Sequence, residues 1–167
     1  NLFRYLPSVL GFTIEKVDDF GNPIQLLDPV SQDTILFEVS YTTIEFAFGR
    51  AEFIQEVEVR FRDYMDLIQK KLSKANYAII GSGIHPYWDK NDNQPVAYER
   101  YQMLMNYLKL SRTVLGTDLH DYPEYGAFIC GSQVQLDVSK SNYLRVINAF
   151  NQIEAAKAFL FANSEFS

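Results

Sequence analysis

A chain of 167 residues that is 47% apolar and 15% aromatic has the material for one packed core, which excludes a disordered polypeptide. Its net charge of −6, with Lys and Arg scattered, excludes the basic stripe with interleaved aromatics that nucleic-acid binding uses. A single cysteine, Cys130, excludes an internal disulfide and points to a reducing, cytoplasmic compartment, and no apolar run approaches the ~20 residues that span a bilayer.

In chain order, the opening at Asn1, without a Met or a signal pattern, reads as a processed chain or a piece of a longer one. Arg4–Leu10 reads as the end of a short helix or an approach loop, interrupted at Pro7, and Phe12–Val17 as a strand. Asp19–Pro23 and Asp28–Asp33 are turns by composition. From Thr34 to Phe48 the run of β-branched and aromatic residues predicts one or two strands, closed by Gly49. Between Arg50 and Ala75 the period changes to 3.6: Ile54, Val57, Phe61, Met65, Ile68, Leu72 and Ala75 share an inward face, with Glu56, Arg60, Asp63 and Lys70 off it. Lys70, Lys71 and Lys74 complement the dipole at this helix's end.

Tyr77–Gly81 then reads as a buried strand, and a polar loop runs on to Pro95. Tyr98–Leu110 predicts a helix with Met103, Leu104, Tyr107 and Leu108 inward. A loop over Gly116–Gly126 leads into Ala127–Cys130, where Cys130 is expected as a small buried residue. Gly131–Ser139 alternates strictly, Gln133, Gln135 and Asp137 one way and Val134, Leu136 and Val138 the other, which is the period of a half-buried strand. Ser139 or Ser141 can cap a final helix carrying Leu144, Ile147, Phe150, Ile153, Ala156 and Leu160. The class is α+β, a mainly antiparallel sheet with packed helices, in a single domain over residues 1–167.

Chemistry can reside at a few places. Glu38 and Glu45 stand inside strand-forming sequence, where carboxylates are depleted and costly to bury unpaired. Their odd separation puts them on opposite faces of one unbroken strand, as two surface glutamates. A turn near Ser40–Thr42 instead brings them together as hard oxygen ligands of the kind Mg²⁺ with a phosphate requires. Gly81–Pro86 permits close backbone approach but matches neither a P-loop nor a dinucleotide fingerprint, and His85 has no second ligand at metal spacing. Arg100 is either an exposed helical arginine or a bidentate partner for carboxylate or phosphate. The amides of Gln133 and Gln135 either line a solvated sheet face or orient a ligand and its metal.

In order, Glu38…Ile44-Glu45-Phe46, Gly83-Ile-His-Pro86, Glu99-Arg-Tyr-Gln…Met105-Asn-Tyr107, Gln133-Val-Gln-Leu-Asp137 and Phe161-Ala-Asn-Ser164 resemble the glutamate–cysteine ligases, most closely the plant and proteobacterial branch. The resemblance covers roughly Thr34 to Ser164. It implies a glutamine-synthetase-like catalytic fold whose sheet binds Mg²⁺-ATP and glutamate. ATP phosphorylates the γ-carboxylate of glutamate in that family, and the cysteine amine attacks the acyl phosphate, a step of glutathione biosynthesis. By this resemblance Glu38 and Glu45 are metal and substrate ligands, Gln133 and Gln135 face the nucleotide phosphates, and Arg100 contacts substrate. The partners are small molecules: glutamate, cysteine and ATP.

The chain departs from that pattern twice. The family carries a Glu-x-Glu pair on an earlier strand, where only Glu15 stands here, and it continues with later basic residues beyond the Ala-Asn-Ser element. The expectation is therefore a central part of such an enzyme, holding part of its site and inactive alone. Two other readings stand beside it: a carboxylate–amine ligase using another amine, and a non-catalytic module that keeps the sheet for binding or assembly.

Overall fold

The computed structural model describes residues 2–117, 121–122 and 124–162. Helix α1 (Leu2–Leu10) precedes four strands: β1 (Thr13–Val17), β2 (Pro23–Leu27), β3 (Thr34–Phe37) and β4 (Ile44–Ala47). They form one antiparallel sheet in the order β1-β2-β3-β4, so each strand pairs with its sequence neighbour. The helices that follow are α2 (Ile54–Ser73), α3 (Glu99–Leu108), α4 (Leu110–Leu115), α5 (Tyr143–Gln152) and α6 (Glu154–Phe161). The class is α+β, as the sequence leads one to expect. None of these helices is long and apolar enough to cross a membrane.

Register sorts the sheet into two faces. Leu26 pairs with Ile35 and Ile35 with Phe46, so these three share one face. That face meets α1 and α2 in a core built on Phe3, Leu6, Phe12, Leu26, Ile35, Tyr64 and Ile68. Burying a side chain of this size contributes roughly 1.5–3 kcal/mol. Phe3 stacks on Phe37 at 4.2 Å, and Phe12 meets Tyr64 edge-on at 5.5 Å. Gln25, Leu36 and Glu45 are the partners in register on the opposite face. The amide of Gln25 donates to Glu15, which stands in a register shift of β1.

Asp33, 1% exposed, ties sheet and helix together. It accepts from the Gly49 amide at 2.7 Å, Arg60 Nη1 at 2.9 Å and the Tyr64 hydroxyl at 2.7 Å. A buried carboxylate demands such partners, and it explains a correction to α2. Its buried residues are Tyr64 and Ile68, while Ile54 and Phe61 are exposed and Arg60 turns inward to Asp33. Burial first, and Asp33 beside it, raise the Tyr64 hydroxyl well above its ordinary value. At the other end of α2, Lys71 lies over the Tyr5 ring at 4.2 Å.

Other expectations are corrected. Tyr77–Gly81 is irregular and largely exposed, and among the described residues no strand offers it a ladder. In α3 the inward residue is Met105, packed with Val39, Ala127, Tyr101 and Leu108, whereas Met103 and Tyr107 face solvent. The last helix is two, α5 and α6, meeting at Ile153, and its N-cap is Asn142 rather than a serine. Cys130 is exposed rather than buried, at the point where the chain leaves the body of the fold. Gly131–Ser139 is not a strand of the sheet: among the described residues it pairs with no strand, and it is exposed, Gln133 and Gln135 included. Strand periodicity sets which side chains share a face but supplies no hydrogen-bonding neighbour. His120, Asn163 and Ser164 lie outside the described residues.

Candidate functional site

The β3–β4 hairpin sets the site. Phe37 pairs with Ile44 and Leu36 with Glu45, and the Glu38 amide donates to the Thr43 carbonyl at 3.1 Å. Glu38 is two residues beyond Leu36, so it shares the face of Leu36 and of Leu36's partner Glu45. The turn over Val39–Thr43 thus converts an odd spacing, which separates side chains on one strand, into a shared face on two.

The turn itself is fastened at several points. Ser40, buried, donates from Oγ to the Ala127 carbonyl at 2.7 Å. The Val96 amide donates to the Val39 carbonyl at 2.7 Å. Tyr41 donates to Asp18 Oδ2 at 2.6 Å and accepts from the Ala97 amide at 3.3 Å. Asp18 also accepts from the amides of Phe20 at 2.9 Å and Asn22 at 2.8 Å. Burial opposes the charge of Asp18, yet the bonds from Tyr41, Asn22 and Phe20 outweigh it and hold its carboxyl below the ordinary value.

These ties bring the start of α3 onto the hairpin. Tyr101 donates to the Phe37 carbonyl at 2.9 Å, while Arg100 stands close enough to act on Glu38. The Glu38 carboxyl is pushed up to about 7, first by its hydrogen bond to Glu45, then by burial and the Glu45 charge, with Arg100 pulling down. Glu38 therefore keeps its proton to higher pH than an ordinary glutamate, with the Arg100 charge opposing. Tyr101 is pushed up to about 12 by burial and by Glu38, against Arg100. The Cys130 thiol, although the residue is exposed, is likewise raised, by desolvation and then by Glu38.

The Gly81–Pro86 loop approaches from the side. Cys130 donates its amide to the Gly83 carbonyl at 2.9 Å and His85 to the Phe128 carbonyl at 2.8 Å, around an isolated Ile84–Ile129 bridge. His85 is engaged locally: its Nδ1 accepts from the Tyr87 amide at 3.1 Å and lies 3.2 Å from Asn91.

Of the residues singled out in sequence, Glu38, Glu45 and Arg100 are brought together. Gln133 and Gln135 are exposed on the unpaired segment that leaves Cys130. Gln25 has no place among the residues singled out, Tyr101 stands there only within the Glu99-Arg-Tyr-Gln motif, Glu15 only as a single residue in place of a Glu-x-Glu pair, and Cys130 only as a small buried residue. For Gln25 and Glu15 the missed signal was the strand Pro23–Leu27, whose register puts Gln25 in line with Glu45. Among the described residues no three or more His, Cys, Asp or Glu side chains gather as a metal cluster, so the Glu38–Glu45 pair offers two carboxylates and no third. That number fits Mg²⁺, which takes one or two carboxylates and completes its shell with water and substrate phosphates.

No curated protein and no solved structure matches the chain. One family model does, that of glutamate–cysteine ligase family 2, and it matches residues 13–167, which take in the whole sheet, the paired glutamates, Arg100 and the Gln133–Asp137 segment. The chain therefore belongs to glutamate–cysteine ligase family 2.

Proposed function

We propose that this chain carries the acidic wall of an ATP-dependent ligase site, on a glutamine-synthetase-like sheet, that joins the γ-carboxylate of glutamate to the amine of cysteine. The observation that supports this most is the Glu38–Glu45 pair beside Arg100. A half-buried like-charge pair such as this costs stability unless a cation or a proton relieves it. In this reading Glu38 and Glu45 hold Mg²⁺, which neutralises phosphate charge when bound. Arg100 offers a fork of donors to a substrate carboxylate or to phosphoryl oxygens. Gln133 and Gln135 supply amide donors to the nucleotide phosphates. Phosphorylation of the glutamate γ-carboxylate and attack by the cysteine amine need positioning and charge neutralisation, and no protein nucleophile. The Cys130 thiol, with its raised pKa, is then not a nucleophile in the reaction.

The described pair accounts for two metal ligands, so we further infer that this chain by itself binds nucleotide without turning over. A non-catalytic module is the second reading, favoured by the exposure of Gln133 and Gln135 away from any sheet. Calorimetry with Mg²⁺-ATP, followed by an assay for γ-glutamylcysteine, separates the readings. Binding heat with no product supports the first. Absence of binding rejects it, and product formation rejects the inference of inactivity.

A further inference from the structure

Tyr101 stands in the first turn of α3, one residue after Arg100, and its ring and its hydroxyl have different neighbours. The ring packs with Val39, Met105 and Ala127, an apolar seat that needs no hydroxyl. The hydroxyl crosses to the sheet and donates to the Phe37 carbonyl at 2.9 Å. Phe37 lies one residue past Gln25–Leu36, the last pair of β2 with β3. Glu38 aims its amide at Thr43, toward β4, so the Phe37 carbonyl faces the other side, where that ladder has stopped. The tyrosine hydroxyl satisfies the strand end there. Among the described residues it makes the only side-chain hydrogen bond between α3 and the sheet. The N-terminus of α3 has no side-chain cap to fasten the first turn in its place.

Arg100 needs such an anchor. Its side chain is exposed and, among the described residues, enters no ion pair, although its charge reaches Glu38. The guanidinium therefore stands near the glutamates with its fork of donors still open. A long side chain on a loose turn spreads over many rotamers and positions, and fixing the backbone beneath it narrows where the fork can go.

The geometry points to Tyr101 as a positioning residue: its hydroxyl ties the first turn of α3 to the end of β3 and so holds Arg100 within reach of the Glu38–Glu45 pair. Tyr101 acts through Arg100 and contacts no ligand in this role. Loss of the hydroxyl lets the first turn draw away from the strand and carries the base of Arg100 with it. The consequence for nucleotide binding rests on the function proposed above, whereas the placement of Arg100 beside Glu38 does not.

Tyr101→Phe tests this with the ring left in its seat, so the fold is expected to persist. Calorimetry with Mg²⁺-ATP compares the parent, Tyr101→Phe, Arg100→Gln and the double variant. Tyr101→Phe is expected to bind about fivefold more weakly or worse, and the double variant no more weakly than Arg100→Gln alone. Undiminished binding by Tyr101→Phe, or two losses that multiply, overturns the proposal. A second cycle needs no nucleotide. Denaturation of the parent, Arg100→Gln, Glu38→Gln and their combination at pH 7.5 gives the coupling between the two charges. Repeated with Tyr101→Phe, that coupling should fall by about half or more. A coupling unchanged by Tyr101→Phe also overturns the proposal. Should Mg²⁺-ATP not bind the parent, the functional reading fails while the charge coupling alone decides the role of Tyr101.

Discussion

Tyr41 donates its hydroxyl to the buried carboxylate of Asp18 at 2.6 Å and accepts the amide of Ala97 at 3.3 Å, so one side chain joins the β1–β2 turn, the β3–β4 turn and the approach to α3. Both glutamates of the candidate site stand on the hairpin this bond steadies, and Arg100 follows Ala97 by three residues. The relationship explains how an exposed tyrosine ring can matter to a site it does not touch.

Tyr41→Phe keeps the ring and removes the bond. Asp18 retains its bonds from Phe20 and Asn22, so the loss is that of one hydrogen bond to a charged acceptor, roughly 1.5–3 kcal/mol. Urea denaturation should show a lower midpoint with an unchanged slope. The Asp18 carboxyl is held below its unfolded value, so its contribution is present above the unfolded pKa and is lost as pH falls through the folded one. The stability difference between Tyr41→Phe and the parent should therefore shrink in acid; a difference that grows there contradicts the assignment.

Asp33→Ala removes the acceptor that Arg60, Tyr64 and the Gly49 amide share. Arg60 is left mostly buried without its carboxylate, keeping only the 3.4 Å bond to the Gly49 carbonyl, and loss of one partner of such a pair costs about 3–5 kcal/mol. Tyr64→Phe removes a single donor and should cost about 1–2 kcal/mol. Thermal and chemical denaturation of the two variants should preserve that order, and a reversal contradicts the role given to Asp33.

The glutamate pair predicts the opposite pH slope to Asp18. Glu38 has a folded pKa of about 7 against an ordinary value of 4.5, so between these values the folded chain binds a proton that the unfolded chain releases. Its effect is to lower stability as pH rises through that window, in the absence of divalent cations. Glu45→Gln removes the largest cause, leaving burial, and should flatten this part of the profile, as measured by denaturation between pH 4.5 and 7.5. A slope equal to that of the parent contradicts the coupling.

How far these features were legible in sequence differs by kind. Odd spacing between Glu38 and Glu45, with a turn-compatible stretch between, already posed the choice between opposite and shared faces. Only the register of Phe37 with Ile44 decides it, and register is a property of two strands together. Arg60 and Tyr64 read as off the apolar face of α2 or silent because periodicity counts polarity, whereas Asp33, distant in sequence, draws both inward. Val134, Leu136 and Val138 read correctly as alternating. Their neighbour cannot be read from alternation at all, which is why an expected strand of the sheet has no strand partner among the described residues.

The central claim is that Glu38 and Glu45 are set against each other for a cation and not for the fold. Such an arrangement trades stability for binding. Calorimetric titration of Mg²⁺-ATP into the chain and into Glu45→Gln, with the denaturation midpoint of each measured at pH 7.5, tests it most directly. Glu45→Gln is expected to bind at least about tenfold more weakly, a loss of about 1.4 kcal/mol, while its midpoint rises. Undiminished binding by Glu45→Gln, or a lower midpoint, would contradict it.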